Sequence, residues 1–147
     1  MVTTRRQARE WAIQMLTAAD LNPAVTAERL VADFWSQFPT LAADEGGLDG
    51  RLPRGKIKTF AEERVTGVLA HIDEIDAILA RLLKDWDLER LGTVERAVLR
   101  MGVWEMKFSD VPKPVIINEA IDLGNWFSSP RSRPLINGVL DRLAKEG

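Results

Sequence analysis

Apolar residues recur along this chain at helical rather than alternating spacing. Between Thr4 and Ala19, the residues Ala8, Trp11, Ala12, Met15 and Leu16 fall on one face, three or four positions apart. Thr4 followed by Gln7 has the form of a reciprocal cap and sets the helix start at about Arg5. Asn22-Pro23 stops it. A second helix is expected after Thr26, with Ala27, Leu30, Val31, Phe34, Trp35 and Phe38 on its stripe and its end at Pro39. Residues 39–56 hold four Gly and two Pro with few large apolar side chains, which predicts a long flexible loop. Thr59 and Glu62 repeat the cap form. Val65, Val68, Leu69, Ile72, Ile75, Leu79, Leu82 and Leu83 then keep helical spacing, predicting one long helix over 58–86 that bridges two lobes.

After Gly92-Thr93 the segment from Val94 to Phe108 is apolar nearly all round, with Trp104 in its midst, as for a helix at the centre of a bundle. Pro112 and Pro114 separate it from a helix over Val115–Phe127. The loop Ser128–Pro134 (SSPRSRP) leads to a last helix carrying Leu135, Ile136, Val139, Leu140 and Leu143. No stretch alternates strictly over more than four positions, and no repeat is visible. The expected fold is all-α, with six to seven helices in two packed subdomains. An N-terminal part covers 1–57, the bridging helix 58–86 and a C-terminal part 87–147.

Composition narrows the chemistry. With 147 residues, 46 % hydrophobic and 29 % charged, the chain is long enough to bury a core without disulfides or metal. It has no Cys, which excludes thiolate nucleophiles, zinc ribbons and Fe–S clusters, and suits a cytoplasmic setting. His71 is the single histidine, so two-His metal motifs are absent. No apolar run approaches a membrane span, and MVTTRRQAREW lacks the apolar stretch of a secretory signal. Gly46-Gly47 and Gly50 follow no strand and make no phosphate loop, and His71 has no nucleophile partnered by motif. Asp73, Glu74 and Asp76 read as a solvated helix face. The expectation is no enzyme, no cofactor and no metal.

Charge is uneven although the formal net is only −2. Bases gather in residues 1–9, 51–64 and 130–147, whereas residues 10–50 and 65–95 are acidic. Arg5, Arg6 and Arg9 sit in the first turn and a half of a helix, where the dipole disfavours cations by roughly 0.3–1 kcal/mol each. Two readings stay open: a phosphate-binding stripe of guanidinium forks, or ordinary surface charge. Arg131 and Arg133, presented between prolines, carry the same pair of readings. Trp35 and Trp104 read as core; Trp126, beside the basic loop, stays open as a stacking residue.

RRQARE followed by AIQML resembles the arginine-rich opening of the NusB family of transcription antitermination factors. LERLGTVERAVLRMGVWEM, DVPKPVIINEAIDLGNWF and LINGVLDRLAKE resemble the family's three signatures in order and spacing, so that the likeness covers residues 4–22 and 58–146. It implies an all-helical fold of two subdomains without cofactor or catalysis. It further implies binding of the boxA element of nascent ribosomal RNA together with the ribosomal protein NusE, within the RNA polymerase antitermination complex. No membrane is implied, and pairing as a homodimer is left open.

The RNA-contact set expected from the likeness is Arg5, Arg6, Arg9, Gln14, Arg131 and Arg133. Gln7 replaces an arginine common in the family, and Thr17 and Leu135 stand where aromatics are frequent. Asn118, Glu119, Asn137 and Gly138 match signature positions, read first as packing and helix-end hydrogen bonds. The acidic middle of the chain is the expected face for basic NusE. Two alternatives remain: a NusB-like domain of an rRNA cytosine methyltransferase, disfavoured because no methyltransferase part follows before Gly147, and a helical protein-interaction adaptor that binds no RNA.

Overall fold

The amphipathic stripes of the sequence fold as helices whose buried faces follow the predicted positions closely. The computed structural model of the protein describes residues 5–37, 55–84 and 87–146. Among them are seven α-helices, one 3₁₀ turn and no strand. None of these helices is long and apolar enough to cross a membrane. The chain divides by its internal contacts into two units, Met1–Thr66 and Gly67–Gly147.

In the first unit, α1 (Arg5–Leu21) buries Ala8, Trp11, Ala12, Ile13, Met15 and Leu16. Thr4, its predicted cap, lies outside the described residues; the Gln7 amide donates to Glu10 Oε1 at 3.1 Å. Helix α2 (Ala27–Ser36) starts as predicted, with the Thr26 hydroxyl accepting the Arg29 N–H at 3.2 Å. Trp35 on α2 meets Trp11 edge-on, centroids 5.5 Å apart, an arrangement worth about 0.5–1.5 kcal/mol beyond burial. Phe38, Pro39 and residues 39–54 of the expected loop lie outside the described residues.

Helix α3 (Gly55–Ala70) begins earlier than the sequence pattern suggests, so Gly55 and Lys56 belong to it rather than to the loop. Gly55 has φ 61°, a value that a side chain would disfavour. Thr59 is therefore inside the helix and caps nothing. Glu62 instead accepts the Trp35 indole N–H at 2.6 Å, joining α2 to α3. The single helix expected over 58–86 is in fact two. His71 leaves helical values (φ −115°, ψ 23°) and separates α3 from α4 (Ile72–Leu83). Its ring stacks on Phe108 at 4.2 Å.

The second unit is built around α5 (Thr93–Phe108), which packs against α4, α6 (Lys113–Phe127) and α7 (Ser132–Glu146). Ala97, Val98, Leu99, Met101 and Val103 are buried, but Val94, Trp104 and Met106 are half-buried and Phe108 is exposed, so the helix is not enclosed on every side as its apolar pattern suggests. Close approach is written into the glycines. A Cβ on Gly102 would lie 2.9 Å from Leu140 Cδ1, and one on Gly67 would lie 2.2 Å from Trp104 Nε1. Trp104 is half-buried rather than fully enclosed; its indole packs over Gly67 on α3, where only a bare backbone leaves room for it.

Polar side chains fix the ends of these helices. The Arg100 guanidinium grips Asp76 through Nε–Oδ1 and Nη2–Oδ2, each 2.9 Å, tying α5 to α4. Asp76 is thereby removed from the solvated acidic face expected of Asp73, Glu74 and Asp76. Arg96 Nη1 donates to the carbonyls of Leu88, Glu89 and Leu91 and holds the 3₁₀ turn Leu88–Arg90. Lys113 Nζ reaches the Ala144 carbonyl at 3.0 Å near the end of α7, a favourable place for a cation. Arg81 donates to Glu146, and that hydrogen bond holds the Glu146 carboxyl below its ordinary range.

Candidate nucleic-acid interface

The expected RNA-contact residues fall in both units: Arg5, Arg6, Arg9 and Gln14 in the first, Arg131 and Arg133 in the second. Helix α1 has no acidic residue in its first turn, so arginines stand at its positive end. Compensation for two of them comes from an aromatic ring on α3. The guanidiniums of Arg5, Arg9 and Arg64 lie 5.5, 5.0 and 3.4 Å from the centroid of Phe60. The negative face of the ring attracts cations and costs less desolvation than a buried carboxylate would.

This arrangement separates the arginines that sequence alone treats as one stripe. Arg9 and Arg64 are each only 3 % exposed. Arg64 Nη1 also donates to the Phe60 carbonyl at 3.2 Å. Arg5 is exposed and, with Lys56, Thr59, Phe60 and Glu63, lines a shallow pocket of about 410 Å³. Arg6 is half-buried and Gln14 exposed on the same helix. Arg9 thus packs the cluster, while Arg5 presents charge beside it. Phe60 and Arg64 escaped the sequence reading; the basic run over 51–64 was the visible signal, but nothing local linked it to α1.

In the second unit the expected SSPRSRP loop is shorter than the sequence suggests. Ser132, Arg133 and Pro134 form the first turn of α7, where a proline is tolerated because the first helical N–H groups lack partners anyway. Ser132 is buried, and its hydroxyl donates to the Ser129 carbonyl at 2.6 Å. The Arg131 N–H donates to Ser129 Oγ at 3.3 Å, and the Arg133 N–H to the Pro130 carbonyl at 3.2 Å. The backbone of both arginines is therefore ordered while their side chains stand exposed. Trp126, at the end of α6, is 77 % exposed and so is not part of the core. Trp86 lies outside the described residues.

The signature residues behave differently from their first reading. Asn118 and Asn137 stand exposed on α6 and α7 rather than packed, and Glu119 and Gly138 are half-buried. Of the two family-aromatic positions, Thr17 is half-buried with its hydroxyl donating to the Gln14 carbonyl at 2.8 Å, and Leu135 is half-buried on α7. Among the described residues, no three His, Asp or Glu side chains gather as a metal cage.

Comparison with known proteins places this geometry in a family. The model of the NusB family matches residues 6–145. A transcription antitermination protein NusB of a Nitratiruptor species is 37 % identical over 146 residues, covering 99 % of this chain and 94 % of that protein. One from Myxococcus xanthus is 40 % identical over 141 residues, covering 95 % and 94 %. A crystal structure of the antitermination factors NusB and NusE in complex with dsRNA holds a chain that superposes with a TM-score of 0.76. That chain is 27 % identical, and the match covers 100 % of both. With a family match spanning nearly all of its helices and relatives of this identity over nearly its full length, the chain belongs to the NusB family.

Proposed function

We propose that this chain is a transcription antitermination factor that binds the boxA element of nascent ribosomal RNA together with NusE. It works in the cytoplasm, within the RNA polymerase antitermination complex, and as a NusB family member it is a factor and not an enzyme. The observation that carries the reading is the full-length likeness to a chain solved in a complex of NusB, NusE and dsRNA. The exposed arginines at two helix starts support it, since guanidinium forks suit phosphate oxygens. Arg5, Arg131 and Arg133 contact the phosphate backbone, with Arg6 and Gln14 alongside Arg5. Arg9 serves the site by holding Phe60 and the first turn of α1 in place. The exposed Asp73 and Glu74 on α4 offer a face for basic NusE.

Titration of boxA-like RNA against a scrambled strand, with and without NusE and over a range of salt, tests this. Preferential binding of boxA-like RNA that tightens with NusE is expected. Equal affinity for both strands overturns the boxA assignment. NusE binding with no RNA binding under any condition replaces it with the adaptor reading.

A further inference from the structure

Three aromatic rings of the second unit meet where the end of α5 lies beside the break between α3 and α4. Trp104 and Phe108 stand one turn apart on one face of α5, with centroids 6.3 Å apart. The His71 ring lies on Phe108 at an interplanar angle of 21°. Gly67 leaves the space in which the Trp104 indole is seated. Each ring is thus held by a neighbour, yet none is enclosed: His71 and Trp104 are half-buried, and Phe108 is 41 % exposed. Contiguous apolar surface of this kind marks an interaction site, whereas single scattered side chains do not. The rim carries a sign. Glu74 Oε1 lies 3.7 Å from His71 Nδ1, and Asp110 follows Phe108 by two residues, both exposed. Asp73, exposed about 100° further round α4, adds to the negative field. The neighbouring base, Lys107, is turned to account elsewhere: after the Arg81 hydrogen bond, its charge helps to hold the Glu146 carboxyl low.

An acidic rim repels a polyanion, which removes nucleic acid as the occupant. An arginine or lysine suits it. The long stem covers the ring, and the charged head is drawn to the ring face and the carboxylates. Protein interfaces share this anatomy, an aromatic centre inside a polar rim. The rings are also fixed before a partner arrives, which lowers the cost of ordering them. We propose that this end of α5 is a second protein-docking surface, which receives a basic amphipathic segment of a partner other than NusE. Phe108 is its anchor, His71 and Trp104 hold that ring in place, and Glu74 and Asp110 pair with the segment's cations. The proposal rests on the reading above of this chain as one member of an assembly. Glu74 turns toward His71 and marks the edge of the acidic face offered to NusE, to which Asp73 belongs.

The test uses the full chain and a fluorescein-labelled synthetic peptide with leucine and arginine one helical turn apart, beside one with glutamate in place of arginine. Fluorescence anisotropy should show binding of the arginine peptide alone. Phe108→Ser should weaken it about tenfold, the usual worth of one packed anchor. Asp110→Lys should weaken it about two- to fivefold. That second variant changes only an exposed side chain, so it decides the matter even where Phe108→Ser lowers the melting temperature. NusE and boxA-like RNA should bind both variants as they bind the parent, and saturating NusE should leave the peptide bound. Equal peptide affinity in the parent and both variants overturns the surface. Displacement of the peptide by NusE, or loss of NusE binding in Phe108→Ser, gives the rings to NusE and overturns the second partner. A parent dimer that Phe108→Ser converts to a monomer gives them to a second copy of the chain and overturns it equally. Failure of the parent to bind RNA or NusE defeats the functional reading alone, because the peptide titration still decides the surface.

Discussion

The arginines around the start of α1 and those at the start of α7 use one side chain in opposite ways. At α1, the guanidiniums of Arg5, Arg9 and Arg64 gather on one aromatic ring, and two of the three are almost completely buried. At α7, Arg131 and Arg133 stand in solvent on a backbone tied down by Ser129 and Ser132. The first arrangement turns its charge on the protein itself. The second keeps it for whatever approaches. The planar, weakly hydrated guanidinium can do either, which a lysine ammonium does less well. An excess of positive charge in a sequence window therefore says little until burial is known.

The largest effect should come from removing the ring that organises the first cluster. Phe60→Ala should cost about 3 kcal/mol: the loss of a half-buried aromatic, plus two buried cations left without their ring. Phe60→Leu should recover part of the apolar contribution and none of the cation–π contribution. Urea unfolding of the two variants separates these terms. Equal stability of Phe60→Leu and the parent would show that the ring face does nothing for Arg9 and Arg64.

Next in size is the contrast between the clusters themselves. Arg9→Ala should lower stability by about 1–2 kcal/mol, because its stem and guanidinium are packed against Phe60. The double variant Arg131→Ala with Arg133→Ala should stay within about 0.5 kcal/mol of the parent. Its RNA binding should weaken, with the salt slope flatter by about 1.4 if each arginine meets a phosphate. Paired melts and salt titrations would break the comparison if the double variant lost stability or if Arg9→Ala lost none.

The same distinction marks what the sequence could reveal. Helix stripes were legible because burial repeats with the helical period, and Ala8, Trp11, Ala12, Met15 and Leu16 are buried as that period demands. The break at His71 was not, since neither Gly nor Pro stands there and the apolar spacing runs on through Ile72 and Ile75. Thr59 and Glu62 imitate a cap, but Glu62 is taken by the indole of Trp35, 27 residues earlier in the chain. Arg9 was legible as a cation and not as a buried one, because its ring partner lies on another helix. Residue type and spacing report local geometry; a partner dozens of residues away leaves no periodic trace.

The smallest effect tests whether the first cluster presents any charge at all. Arg5 is exposed and more distant from the Phe60 centroid than either buried arginine, so the ring gains little from it. It also stands at the positive end of α1, which has no acid in its first turn. Arg5→Ala should therefore leave stability unchanged, or raise it by a few tenths of a kcal/mol at low salt. RNA binding should respond in the opposite sense, with the salt slope flatter by about 0.7. Arg5→Lys should restore the slope, since a point charge suffices for a single phosphate contact. A variant that loses stability without changing the slope would place Arg5 with Arg9 and Arg64 as packing, leaving Arg131 and Arg133 to carry the phosphate contacts.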